Sequence, residues 1–61
     1  MESELKIMYH IYDVFGEKVE TDSHYEALAA EAEGKIVYEI HETTWKSGWI
    51  SGKNIVAYEW S

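Results

Sequence analysis

The chain has 61 residues, of which twelve are acidic and five are lysines, so its formal net charge is −7 at pH 7. It contains neither cysteine nor arginine, which excludes disulfides, thiolate zinc sites and bidentate arginine clamps. Since nucleic-acid binding draws most of its affinity from cationic contacts to phosphates, so negative a surface argues against direct binding to DNA or RNA.

The length predicts one domain over residues 1–61. A domain this small buries only about 60 % of its unfolded surface, and oligomerisation often stabilises such chains, so we expect a homodimer. The aromatic content of 15 % predicts a folded chain. The chain has no run of about 20 apolar residues, so no membrane span is predicted. The starting Met1 leads us to expect a complete chain. Residues Met1–Glu4 lack the basic start of a signal peptide, so we expect a cytoplasmic protein without membrane contact.

Residues 5–14 alternate in side-chain direction, with apolar or aromatic residues on both faces, and predict a central strand. Residues 15–18 predict a turn in which Gly16 supplies the backbone freedom. A brief returning strand is expected over 19–21.

A helix is predicted next. Ser23 and Glu26 have the spacing of a capping box, and Gly34 supplies the left-handed residue that commonly ends a helix. Apolar residues that recur at helical spacing predict the face toward the sheet: Tyr25, Leu28, Ala29 and Ala32. Glu26 and Glu33 are expected to point into solvent, with Glu31 on the flank.

Residues 35–44 and 53–60 alternate again and predict two more strands. A tight turn at Ser47-Gly48 is expected to join them, and the alternative is an open loop across 45–52. Direct pairing from that turn mismatches the apolar faces. A bulge near Gly52 corrects the mismatch and sets Ile40 opposite Val56, so we expect the bulged register.

The predicted fold class is α+β, with the order β-turn-α-β-β: a small, mainly antiparallel three- or four-stranded sheet with one helix on one face. The residues expected under the helix are Ile7, Ile11, Ile36, Ile40, Val56 and Trp60. The residues expected on the opposite face are Met8, His10, Tyr12, Val37, His41, Ile55 and Ala57. An apolar patch of that kind usually marks an interface.

No catalytic constellation is present. No serine has an evident base and acid partner, and no glycine motif cradles phosphate, so we expect no enzyme activity and no cofactor. His10 and His41, expected on one face near Glu39, leave a two-histidine, one-carboxylate metal site as an alternative. Because no spacing enforces their convergence, we interpret them as polar residues on a half-exposed sheet.

Two sets of residues are candidates for contact with another protein. The aromatic and apolar set, suited to a partner or a second copy because aromatic residues are frequent interface hot spots, comprises Met8, His10, Tyr12, His41, Trp45 and Trp49. The acidic set comprises Glu17, Glu20, Asp22, Glu26, Glu31 and Glu33. The acidic residues either keep the protein soluble or mimic a DNA backbone and attract a basic groove.

The segment 12–21, the helix start at 25–29 and the tyrosine-rich strand that follows resemble small acidic β-α-β-β proteins encoded by bacteriophages, which bind and block host enzymes. The resemblance implies a non-enzymatic inhibitor of a host protein that has a basic surface and acts on nucleic acid or in defence. The alternative is a structural or assembly protein whose aromatic sheet face mediates homo-oligomerisation only.

Overall fold

The computed structural model describes residues 2–60 as four antiparallel strands and one helix. The elements in chain order are β1 (Glu2–Tyr12), β2 (Lys18–Thr21), α1 (His24–Ala32), β3 (Ile36–Ser47) and β4 (Ile50–Glu59). The strand order in the sheet is β2-β1-β3-β4, which confirms the α+β class. Met1, on which the expectation of a complete chain rests, lies outside the described residues.

A tight turn and a short hairpin end the first strand. The carboxylate of Asp13 accepts hydrogen bonds from the backbone N–H groups of Phe15 and Glu17, at 2.9 and 3.0 Å, and Gly16 has a φ of 82°. β2 pairs with β1 only from Tyr12 back to Tyr9. The first seven residues of β1 therefore have a neighbouring strand on the β3 side alone.

The helix begins and ends where the sequence predicts. The Ser23 hydroxyl accepts a hydrogen bond from the N–H of Glu26 at 3.3 Å. The N–H of Ser23 donates to Thr21 Oγ1 at 3.1 Å, so Thr21 is the acceptor that the capping box assigns to Glu26. At the other end Gly34 has a φ of 84°. Lys35 N–H donates to the carbonyl of Ala30 at 3.0 Å, as in a Schellman motif.

The predicted inner face of the helix is wrong. Ala27 and Ala30 are buried, whereas Tyr25 is 83 % exposed and Leu28 is also exposed. Apolar residues occur all around this helix, so periodicity alone does not select a face. The two alanines turn inward because small side chains let the helix lie close to the sheet. The core they complete contains Tyr9, Ile11 and Val37, with Trp60 packed against it.

The predicted turn and bulge between the last two strands are also wrong. Ser47 pairs with Ile50, and Ile40 pairs with Ala57 in an unbroken ladder. The turn is Gly48-Trp49. A positive φ at Gly48, and at no non-glycine residue within 2–60, is typical of the two-residue type II′ turn that suits the twist of a hairpin.

Gly52 is required by a neighbouring ring and does not form a bulge. It lies opposite Trp45 across the β3–β4 ladder, and a Cβ added to it would overlap the indole of Trp45. The ring thus lies across the bare backbone of Gly52. An aromatic residue opposite a strand glycine is an alternative to the bulge that such a glycine predicts.

This register exchanges residues between the two faces of the sheet. Val37, predicted on the helix-free face, pairs with Ile11 and is buried in the core beneath the helix. Ile36 and Ile40, predicted under the helix, pair with Tyr12 and Met8 on the opposite side. A slip of one residue inverts every side chain, so a single wrong register misplaces the whole of β3.

We call the helix-free side the open face, which includes Met8, His10, Tyr12, Ile36, Tyr38, Ile40, Ile55 and Ala57.

We predict that Ala27→Leu destabilises the fold by about 1–3 kcal/mol, because Ala27 has no exposed surface and a larger side chain must lift the helix from the sheet. Ala29→Leu is the matched control, since Ala29 is exposed on the same helix and its substitution is expected to change stability by less than about 0.5 kcal/mol. Urea unfolding of both variants measures the difference. Equal stability of the two variants would contradict the helix orientation.

Candidate protein-binding surface

The helix covers only one end of the sheet. Nine residues of α-helix span about 13 Å, whereas strands of ten to twelve residues span about 33–40 Å. The molecule is accordingly elongated, with extents of 45 × 20 × 17 Å. The strands that project beyond the helix, residues 2–8, 41–47 and 50–56, form what we call the arm.

Apolar side chains on the helix side of the sheet are uncovered along the arm and, at Tyr58, where the arm meets the covered end. We call this group the arm patch, whose members are between 37 % and 57 % exposed: Leu5, Ile7, Trp45, Val56 and Tyr58. Three of its members surround His41: Ile7 and Val56 pair with it on either side, and Tyr58 packs against its ring with centroids 4.9 Å apart. The whole molecule exposes 4821 Å², against about 4,100 Å² typical of a compact chain of its mass.

The arm patch was missed in the sequence, although a signal for it exists. The sequence predicts an interface on the face opposite the helix and at the hairpin, and of the five arm-patch residues it includes only Trp45. The lengths of the elements carry the missing information, because a nine-residue helix cannot cover strands three times as long. The apolar side chains beyond its reach are not covered by any second layer of residues 2–60.

A polar cluster lies between the helix and the arm patch. Glu39 accepts hydrogen bonds from Nε2 of His41 at 2.5 Å and from Nε1 of Trp60 at 3.2 Å. These two bonds, first that from His41, favour the ionised carboxylate and lower the pKa of Glu39 below its ordinary value of 4.5. Trp60 also packs edge-on against Tyr9, with ring centroids 5.4 Å apart. The cluster therefore holds Trp60 against the core.

The predicted aromatic and apolar set does not form one surface. Met8, His10 and Tyr12 lie on the open face, as predicted. His41, predicted beside them, lies on the helix side, bonded to Glu39. Trp45 belongs to the arm patch. Trp49 is at the tip of the arm and is 95 % exposed, so the two tryptophans stand together at the end away from the helix.

The open face is more closed than the arm patch. Ile40, near its centre, is only 7 % exposed although no helix covers it. Tyr12 and Tyr38 pack edge-on above the strands, with centroids 5.7 Å apart. At the rim, Glu20 pairs with His10 at 3.2 Å and with Lys18 at 3.3 Å. Neighbouring side chains thus shield the centre of this face, whereas Ile36 and Ile55 toward its margins are 50 % and 55 % exposed. The arm patch, with five such side chains, is the larger uncovered apolar surface.

The net negative charge is concentrated in one part of the molecule. Residues 13–39, which we call the acidic end, contain eight acids and two lysines, a net charge of −6. The remaining residues contain four acids and three lysines, a net charge of −1. All six predicted acidic residues are exposed at the acidic end, but they do not share one face: Glu20 lies at the rim of the open face, Glu17 in the turn, and Glu26 and Glu31 on the helix.

The alternative of a histidine metal site is not supported by this arrangement. His10 and His41 lie on opposite faces of the sheet. Over the described residues 2–60, no three histidine, aspartate or glutamate side chains come together in a way that could hold a metal ion. In the same range no helix has the length and apolar character needed to cross a bilayer.

We predict that Trp49→Ala leaves the free energy of unfolding within about 0.5 kcal/mol of the unmodified protein, because the side chain is almost fully exposed. Trp60→Ala is the matched control and is expected to cost about 2 kcal/mol or more, since it removes contacts to Tyr9 and Glu39. Thermal and urea unfolding compare the two. A large loss of stability in the Trp49 variant would show that its ring has a structural role.

A second prediction concerns pH. Since folding lowers the pKa of Glu39, its contribution to stability is fully present above pH 4.5 and is lost as the pH falls through the folded-state pKa. Glu39→Gln is therefore expected to destabilise the protein at neutral pH and to flatten the fall of stability on acidification. Glu42→Gln, on the same strand but the opposite face, should retain the fall. Urea unfolding between pH 7 and pH 3 compares the slopes, and identical slopes for Glu39→Gln and the unmodified protein would contradict this role.

Comparison with known proteins adds no relative. No protein-family model, no curated protein and no solved structure matches this chain.

Proposed function

We propose that the protein is a small, acidic, non-enzymatic module that binds another protein through its arm patch. The observation that carries the proposal is the group of five uncovered apolar side chains on a sheet that the helix is too short to cover. Exposed apolar surface of this extent is rare on isolated soluble domains and usually marks an interaction site.

The energetics favour a protein partner. Complete burial of a Leu, Ile or Val side chain contributes about 1.5–3 kcal/mol, so burial of a half-exposed one contributes about 1 kcal/mol. Leu5, Ile7 and Val56 would together stabilise a complex by about 3 kcal/mol, before the aromatic rings of Trp45 and Tyr58 are added. Aromatic residues at such positions are typical hot spots. Trp49, at the tip of the arm, is placed to enter a pocket of the partner.

The acidic end gives the module a second means of recognition. With a net charge of −6 over residues 13–39, it attracts a partner that has a basic surface and raises the rate of encounter. The near-neutral arm then supplies apolar contact without repulsion. Binding of this kind weakens as salt is added.

The resemblance to phage proteins that block host enzymes suggests the class of partner. We propose a host protein that acts on nucleic acid or in defence, whose basic groove the acidic end would occupy in place of DNA. This part of the proposal rests on the resemblance and on charge. The apolar contact through the arm patch does not depend on it.

We predict that the immobilised protein retains a specific partner from bacterial lysate at low salt and releases it at high salt. The double variant Leu5→Thr, Val56→Thr is expected to lose that partner, because it makes the arm patch polar. Threonine is β-branched and therefore suits both strand positions. The matched control Ile55→Thr, on the open face, should retain it. Mass spectrometry of the eluates identifies the protein, and the purified partner is then tested for inhibition of its own activity.

A retained set of proteins that is identical for the arm-patch variant and the unmodified protein would contradict the proposal. The second candidate function, assembly by self-association alone, is favoured by the same uncovered patch. Neutralising three helix glutamates, as Glu26→Gln, Glu31→Gln and Glu33→Gln, distinguishes the two. Loss of the partner with an intact fold supports inhibition, whereas no effect on any binding supports the assembly role.

A further inference from the structure

We propose that two copies of the chain pair edge to edge through β4, antiparallel and centred on Val56, to form one eight-stranded sheet. This inference does not rest on the proposed function, since dimerisation is measured without any partner. It concerns the edge of the sheet, whereas the arm patch lies on its face.

β4 is an outer strand with free hydrogen-bonding groups along one side. The N–H of Trp60 donates to the carbonyl of Val37 on β3 at 2.9 Å. Because strand residues alternate in direction, the even-numbered residues of β4 direct their backbone groups toward β3. The odd-numbered residues 51, 53, 55, 57 and 59 direct theirs outward. Five consecutive outward positions are enough to pair with another strand.

The residues along the β4 edge favour pairing with another strand. Residues 54–58 carry no charge, and the chain contains no proline, so the usual protections of an exposed edge are sparse. Ile55, Val56 and Tyr58 are each between 41 % and 55 % exposed. The opposite edge of the sheet consists of β2 and of the start of β1 that β2 does not reach. It is protected by the charges of Lys18, Glu20, Glu2, Glu4 and Lys6.

Charge selects the register. When Val56 lies opposite its own copy, Lys53 of each chain lies opposite Glu59 of the other, and the two-fold axis produces this pair twice. Ile55 then lies opposite Ala57. All four residues have outward-directed backbone groups, so the hydrogen bonds and the ion pairs are made in the same register. Within one chain, Lys53 pairs across the ladder with Thr44 and Glu59 with Tyr38, which leaves both charges available to a second copy.

The distribution of charge permits the contact. Residue 60 of each chain is four residues from the axis, so the two acidic ends are about 27 Å apart along the strands. That separation exceeds the screening length of about 8 Å at physiological salt. Repulsion between two copies of charge −7 is therefore small in this arrangement, and Lys53 of one copy approaches the acidic end of the other.

Such a dimer would also join the two arm patches. Antiparallel pairing about an axis perpendicular to the sheet keeps both helices on the same side. The arm patches then meet at Val56 and form one continuous apolar surface, which lies on the helix side of the joined sheet between the two helices. The interface thus leaves the arm patch available for a partner and doubles its extent.

The test is the solution mass, measured by sedimentation equilibrium over a dilution series from micromolar to millimolar protein. The unmodified protein is expected to be a dimer. Lys53→Glu should weaken the dimer roughly tenfold or more, since two attractive cross-strand pairs become repulsive. The double variant Lys53→Glu, Glu59→Lys should restore it, because the pair is exchanged and not removed. Lys46→Glu, which gives the same net charge of −9 from a strand that is not at the edge, is the matched control and should remain dimeric.

A second variant removes the hydrogen bond and leaves the charges. Ala57→Pro deletes an outward N–H that makes no bond to β3, so the fold is expected to persist while the dimer dissociates. Circular dichroism checks the fold. A monomer at all concentrations would overturn the proposal and would identify Lys53 as a residue that protects the edge. A dimer that persists in both Lys53→Glu and Ala57→Pro would also overturn it and would locate the contact on a face of the sheet.

Discussion

The architecture depends on a mismatch of length between one short helix and three long strands. Ala27 and Ala30 bring the helix close to the sheet, where it completes a small core around Tyr9 and Val37. Beyond the helix the strands continue with apolar side chains but without a second layer. A domain usually consists of at least two packed layers, and half of this one has a single layer. The arm patch and the free edge of β4 both follow from that shortage.

The same division separates charge from apolar surface. The part that has its own core also carries nearly all of the net negative charge, and the part without a core is close to neutral. Two requirements that conflict in a small protein, solubility and a surface for contact, are thus assigned to opposite ends of one molecule. The polar cluster of Glu39, His41 and Trp60 lies at the boundary and holds the Trp60 side chain next to the core.

Local signals in the sequence predicted the elements, while their faces depended on contacts that local signals do not contain. The capping serine at position 23, the terminating glycine at position 34 and the alternation of the strands were sufficient for the α+β class. The inner face of the helix was missed because its apolar residues surround it, so close packing of alanine decides. The register of the last hairpin was missed because Gly52 suggested a bulge, when its actual neighbour is the ring of Trp45. The candidate site followed this error, since a displaced register moves Val37 and His41 to the wrong side.

The pairing of the strands has a consequence for the order of folding. β1 with β2, and β3 with β4, are hairpins whose partners are close in the chain, whereas the central ladder joins Glu2 to Lys46. Contacts between distant residues form slowly, because a long loop must first be closed. The two hairpins can therefore form early and independently, and the central ladder, which also brings the helix over its core, completes the fold. During synthesis on the ribosome, β1 cannot pair with β3, its principal partner, until most of the chain has been made.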